Sequence, residues 1–241
     1  SDRRDFQDVA VAALALPDLE VMKEWDGIPF GSHCVAIDAL FQRYARSNGS
    51  GDVSIRRVAD DQELFRLPGA NRPVFVRLSD DGLLLLVCDD GEARTHQGRV
   101  WRLVGPKPIL LREMEMDHGW KACFTPDGER LIYLLGNRLD SWDWTTGRTR
   151  SWPLPGQSHG TFALAADGRT VAVSYVAEGK GLLRVVDAAS GAVRADLALP
   201  EPIDNCAWHA NGQVLAISCG RRIRLWNLST RREIGVLEGR W

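Results

Sequence analysis

The sequence predicts an all-β fold assembled from repeated four-stranded antiparallel units. Three observations carry that prediction. First, an Asp-Gly or Asn-Gly turn flanked by apolar runs recurs in LSDDGLLLLVCDDG (78–91), FTPDGERLIYLLGN (124–137), LAADGRTVAVSYVA (164–177) and WHANGQVLAISCG (208–220). Such a pair makes a tight hairpin because glycine reaches positive φ without a steric cost. Second, the second turn residue recurs about every 40–46 positions, at Phe41 in a degraded copy (AIDALFQRYARSN, 36–48) and then at Gly82, Gly128, Gly168 and Gly212. Third, every mark is followed by two more strand-like runs. The third strands are DVSIRRV, GRVWRLV, RLDSWDW, LLRVVDA and RIRLWNL, and the fourth are ELFRL, PILLR, TRSWPL, VRADLAL and EIGVL. Four short antiparallel strands at this period form a β-propeller blade.

Taken in order, RRDFQDVAVAALAL (3–16) reads as a short helix with Phe6, Val9, Ala13 and Leu16 on one face. Asp5 is its N-cap and Pro17 its stop. LEVMKEWDG (19–27) matches the closing REIGVLEGR and reads as an orphan outer (fourth) strand. Residues 1–27 are thus an N-terminal helix and orphan strand. Five blades follow at approximately 28–68, 69–112, 113–155, 156–199 and 200–241. The orphan lacks its three partners, and the chain opens on Ser1, so the expectation is a segment cut from a longer propeller. Two alternatives stay open: copies pairing at open propeller edges to give a homo-oligomer, or a small closed ring with the orphan packed elsewhere.

The 30 basic and 32 acidic residues give a net charge of −2 with no basic run. That argues against nucleic-acid binding, which needs phosphate neutralisation. Only Lys23, Lys107, Lys121 and Lys180 are lysines, an arginine excess of the kind a GC-rich genome produces. Five scattered cysteines, each in an apolar run, form no CxxC and read as buried thiols suited to a reducing compartment. No apolar stretch spans a bilayer, and no signal-peptide core opens the chain, so no direct membrane insertion is expected.

The repeats resemble those of the WD40 family: a PDG-type hairpin, then SWDW or RLWNL, then a Gly- or Thr-containing turn, over about residues 30–239. No Gly-His pair precedes a first strand, and Trp142–Asp143 is the one literal Trp-Asp pair. LPG (67–69, 154–156) stands near the expected Gly-His position. The family's His–Asp–Ser–Trp network is therefore expected to be incomplete. The stretches AALALPDLEVMKEWDG (12–27) and RYARSNGSGDVSIRRVADDQELFRLPG (43–69) resemble the WD40 region attached to bacterial, planctomycete-type Hanks serine/threonine kinases. This resemblance implies a sensory or docking region beside a kinase, on the cytoplasmic side or in an extracytoplasmic portion, with no catalysis in this chain. The chain has no Gly-rich loop, HRD or DFG.

No phosphate-binding, zincin or nucleophile-elbow motif is present. One candidate loop is CDDGEARTHQ (88–97), with Asp89, Asp90, Glu92 and His96 between the second and third strands of blade two. It lacks the alternating oxygen spacing of calcium loops and reads as a solvated insertion. A second set is positional. His33, His118 and His159 lie just ahead of first strands, with Arg72, Trp120 and Asp204 near the same rim. Exposed arginine and aromatics are enriched in binding hot spots; the plainer reading is that these residues satisfy loop backbone. Trp101, Trp142 and Trp226 read as packing between blades, and Trp152 and Trp208 as strand residues, which argues against an aromatic cage. No metal and no cofactor are expected. The favoured function is non-catalytic binding of a protein or peptide partner. The alternatives are a propeller enzyme or small-ligand binder at the channel mouth, and a purely structural self-assembling module.

Overall fold

The computed structural model describes residues 31–69, 71–90, 95–177, 180–199 and 201–238, apart from the side chains of residues 120, 157–160 and 177. The expected helix over 3–16 and orphan strand over 19–27 lie outside the described residues. Twenty strands form five four-stranded antiparallel sheets, each in sequential order. Blade one holds β1 (Ser32–Ile37), β2 (Arg43–Asn48), β3 (Val53–Arg57) and β4 (Glu63–Leu67). Blade two holds β5 (Val74–Leu78), β6 (Leu84–Asp89), β7 (His96–Arg102) and β8 (Ile109–Met116). Blade three holds β9 (Ala122–Phe124), β10 (Arg130–Leu135), β11 (Arg138–Asp143) and β12 (Thr149–Pro153). Blade four holds β13 (Gln157–Leu164), β14 (Thr170–Ala177), β15 (Lys180–Asp187) and β16 (Val193–Leu199), and blade five holds β17 (Asn205–Trp208), β18 (Val214–Cys219), β19 (Arg222–Asn227) and β20 (Arg232–Glu238). β8 runs past the blade limit drawn at residue 112, because Met114 and Met116 bury on alternate positions.

Turn chemistry explains the repeat. Gly82, Gly128, Gly168 and Gly212 all take positive φ. The preceding Asp81, Asp127, Asp167 and Asn211 accept backbone N–H bonds from the residue two positions on. The degraded copy keeps the geometry without glycine: Phe41 sits at φ 53°, while the Asp38 carboxylate accepts the Gln42 and Arg43 N–H groups at 2.8 and 2.9 Å. Third-to-fourth turns are pinned alike. Asp143 accepts from Thr145 and Thr146, Asp187 from Ala189 and Ser190, and Asn227 from Thr230.

Burial separates inner from end blades. All six residues of β6 are buried, whereas β1 and β18 alternate along their length. A strand covered on both faces has no polar face to keep, so it becomes a continuous apolar run. Four successive cores result. Ile55 packs with Val76 and Leu85, Met116 with Leu131 and Trp142, Ile132 with Val171 and Val173, and Leu183 with Leu215 and Ile217. Each such side chain contributes about 1.5–3 kcal/mol of burial. Among the described residues no buried cluster joins blade five to blade one. Val35 and Ile37 on β1, and Ile234 and Leu237 on β20, stay about half exposed. The first strands of blades two to five line a shared cleft of about 490 Å³, from Arg77 through Phe124 and Phe162 to Ala207.

Candidate partner-binding rim

Backbone geometry first assembles the rim. In each of blades two, three and five, the connector entering the first strand bonds to the end of the second strand or to its turn. Asp90 N–H donates to the Pro73 carbonyl at 3.0 Å. The Asp117 carboxylate accepts Gly136 N–H at 2.7 Å, and that of Asp204 accepts Gly220 N–H at 2.8 Å. Second-to-third turns and inter-blade connectors therefore share one end of the strands.

On that end, blades one to three meet in a polar cluster. His33 Nε2 lies 2.7 Å from Asp90 Oδ2, bridging blades one and two. Arg72 pairs with Asp89 at 2.6 Å, and Arg99 approaches the other Asp89 oxygen at 3.6 Å while reaching Glu113 at 3.4 Å. His96, opening β7, stacks on His118 of the blade-three connector with ring centroids 4.3 Å apart. Lys121 and Asp117 pair at 3.8 Å, both almost buried.

A glycine makes the His96–His118 contact reachable. Gly119 sits so close to blade two that a Cβ there would lie 2.6 Å from the Phe75 ring and 2.8 Å from Cys88. Any side chain there would force Phe75, Cys88 or the connector to shift. Burial, with the His96 and Lys121 charges, lowers the His118 pKa against the opposing pull of Asp117 and Asp90. Burial likewise lowers that of Lys121, while Asp117 holds it up. Burial and the neighbouring Asp89 push the Cys88 thiol up to about 12, so it is no nucleophile. His96 is 4% exposed, and its Nε2 is buried without a hydrogen-bond partner.

The two candidate groups read from sequence are thus largely one. Asp89, Asp90 and His96 of the loop set join His33, Arg72 and His118 of the rim set. His96 is not on a solvated insertion, because β7 begins there and the blade-three connector covers it. His33 lies within β1 and His159 within β13 rather than ahead of them. Trp120 belongs to a short 3-10 turn over Gly119–Lys121. The side chains of His159 and Trp120, and all of Glu92, lie outside the described residues. Asp204 stands apart, in a cleft of about 430 Å³ with Tyr175, Gly181 and Ile203. Sequence reasoning missed Arg99, Asp117, Gly119 and Lys121. For Asp117, Gly119 and Lys121 the one signal was an Asp-His-Gly-Trp-Lys run at a blade entry, with one of only four lysines; Arg99, inside β7, had none.

Arg72, His33 and Asp90 present charged and hydrogen-bonding groups at 52%, 35% and 45% side-chain exposure. The His33–Asp90 contact, open on both sides, contributes at most about 1 kcal/mol to stability, whereas Arg72 pairs with a buried Asp89. Among the described residues no group of three metal-ligating side chains converges.

No family model and no curated protein matches the sequence. Among solved structures the chain is similar to the β-propeller domain of Myceliophteria thermophila Cps50 (Swd1), at 17% identity and a TM-score of 0.61. The match covers 82% of this chain and 65% of that one, so the chain spans just under two thirds of that structure's length. Together with the five sequential four-stranded sheets, this likeness shows that the chain has a WD40-like β-propeller fold.

Proposed function

We propose that the chain is a non-catalytic interaction propeller that docks a protein or peptide segment on the rim of blades one to three. The observation that supports this reading is the His33–Asp90, Arg72–Asp89 and His96–His118 cluster, one polar group drawn from three blades, with His33, Arg72 and Asp90 open to solvent above the buried His96 and Asp89. Rigid four-stranded sheets beneath it hold the donors in place, so a partner meets a preorganised surface. The resemblance of residues 12–27 and 43–69 to kinase-attached WD40 regions supports a docking or sensory role beside a kinase. The test is selection of peptides from a display library on the purified chain, followed by Arg72→Ala and Asp90→Ala. Both variants should melt within a degree or two of the parent and bind the selected peptides at least tenfold more weakly. Unchanged binding in both would remove the rim as the docking surface.

A second reading, self-assembly through end blades, rests on the half-exposed Val35, Ile37, Ile234 and Leu237. Light scattering across a dilution series tests it. A dimer abolished by Ile37→Asp or Leu237→Asp supports it, and a monomer at every concentration excludes it.

A further inference from the structure

At the opposite end of the strands from the rim, blades three and four enclose a cleft of about 170 Å³ whose lining includes Arg130, Ser141, Asp143, Arg148 and Arg150. Strand register puts these side chains together. Arg130 lies directly across from Asp143, and Ser141 across from Arg150, with Asp143 N–H donating to the Arg148 carbonyl. Ser141 and Asp143 are two apart on β11, so both rows face the same side. The far wall is the third-to-fourth turn of blade four. Arg150 ties it in place by donating to the Ala189 carbonyl at 2.7 Å. Trp152 packs so closely on Gly191 that a Cβ there would fall 1.7 Å from its ring.

The charges in this cleft are unbalanced. Several other arginines are paired with carboxylates, as Arg56 is with Asp61, Arg184 with Asp196, Arg194 with Asp187 and Arg224 with Glu233; Arg77, Arg102 and Arg112 instead lie over aromatic rings. Among the described residues none of Arg130, Arg148 and Arg150 makes an ion pair. Asp143 spends its Oδ1 on the Thr145 and Thr146 N–H groups and the Thr145 hydroxyl. Three guanidiniums less one carboxylate leave a charge of +2 on the lining residues. A phosphate monoester carries about −1.5 to −2 at neutral pH and three acceptor oxygens, which guanidinium forks match in geometry.

We propose that this cleft is a phosphate-binding site, taking a phosphorylated side chain of a protein or a small phosphorylated molecule. Arg130 and Arg148 hold the phosphate oxygens, Ser141 adds a hydroxyl donor, and Arg150 closes the wall. The site is distinct from the rim and extends the docking role to a second, modification-dependent contact.

Titration calorimetry on the whole chain tests it, using inorganic phosphate and a matched pair of serine and phosphoserine peptides. The expected result is saturable phosphate binding that weakens at least tenfold in Arg130→Ala and in Arg148→Ala, and less in Arg148→Lys. Melting temperature checks that each variant is folded. Tighter binding of the phosphoserine peptide than of phosphate, with none of the serine peptide, identifies a protein source. Equal binding of both phosphate forms identifies a small phosphorylated ligand. No saturable binding of either, or binding unaffected by both alanine variants, overturns the proposal.

Discussion

Replacing Asp187 with asparagine should cost the fold about 2 kcal/mol at neutral pH and progressively less in acid. Asp187 closes β15 and accepts the Ala189 and Ser190 N–H groups at 3.0 Å, the Ser190 hydroxyl at 3.0 Å and Arg194 Nη2 at 2.7 Å. Burial alone would raise its pKa, but the Arg194 and Ser190 bonds, with those from Ala189, outweigh it and hold the carboxyl at about 2 against an ordinary 3.8. At roughly 1.4 kcal/mol per pKa unit, that depression gives about 2 kcal/mol in favour of the ionised folded form. The group's folded pKa is lowered, so this stability is complete above pH 3.8 and disappears as pH falls through 2. About half should remain near pH 3. Urea denaturation of parent and Asp187→Asn at pH 7, 5 and 3 reads it directly. The difference should be constant from pH 7 to 5 and roughly halve at pH 3. A difference that is flat over the whole range, or below about 0.5 kcal/mol at pH 7, would refute the assignment of the turn's stability to this carboxylate.

Four further expectations concern the core, a turn, the thiols and the rim. Ile132→Ala opens a cavity between blades three and four and should cost about 2–5 kcal/mol, read as a lower urea midpoint with unchanged slope. Gly191→Ala, which drives a Cβ into Trp152 at positive φ, should lower the melting temperature as well. Cys88 and Cys206, raised by burial to about 12 and about 11, should resist a thiol reagent in the native chain and react on unfolding; fast native labelling would contradict their packing. The lowered His118 pKa means that the unfolded chain binds a proton more readily there, so stability should rise with pH through the region below 6.5. His118→Gln should flatten that part of the profile, and an identical profile would show that the imidazole is not responsible.

Much of the architecture was legible because its determinants are local. The Asp-Gly pairs announce their turns, and β6 announces two-sided burial by being apolar from Leu84 to Cys88. Even the degraded first copy was readable, since Asp38 performs the capping that the missing glycine turn would otherwise share. The rim was only half legible. His33, Arg72 and His118 can be placed near one end of a blade by counting strands. Their pairing with Asp89, Asp90 and His96 depends on how neighbouring blades lie against each other, and no local pattern encodes that. Gly119 shows the difference: in sequence it is one glycine among 23, and in space it is the point where a connector touches Phe75 and Cys88. The arginine cleft was hidden for the same reason. Arg130, Arg148 and Arg150 disappear into a general arginine excess until strand register places them on one face without carboxylate partners.

The central claim, that this propeller docks a partner on the rim of blades one to three, is tested most directly by a hydrogen-exchange footprint of a selected peptide on the intact chain. Slowed exchange is expected over residues 71–76, 88–90, 96–99 and 113–121, with residues 103–108, 145–150 and 189–192 unchanged. Protection confined to the end blades, around residues 35–46 and 232–238, or to the turns at the opposite end of the strands, would contradict it.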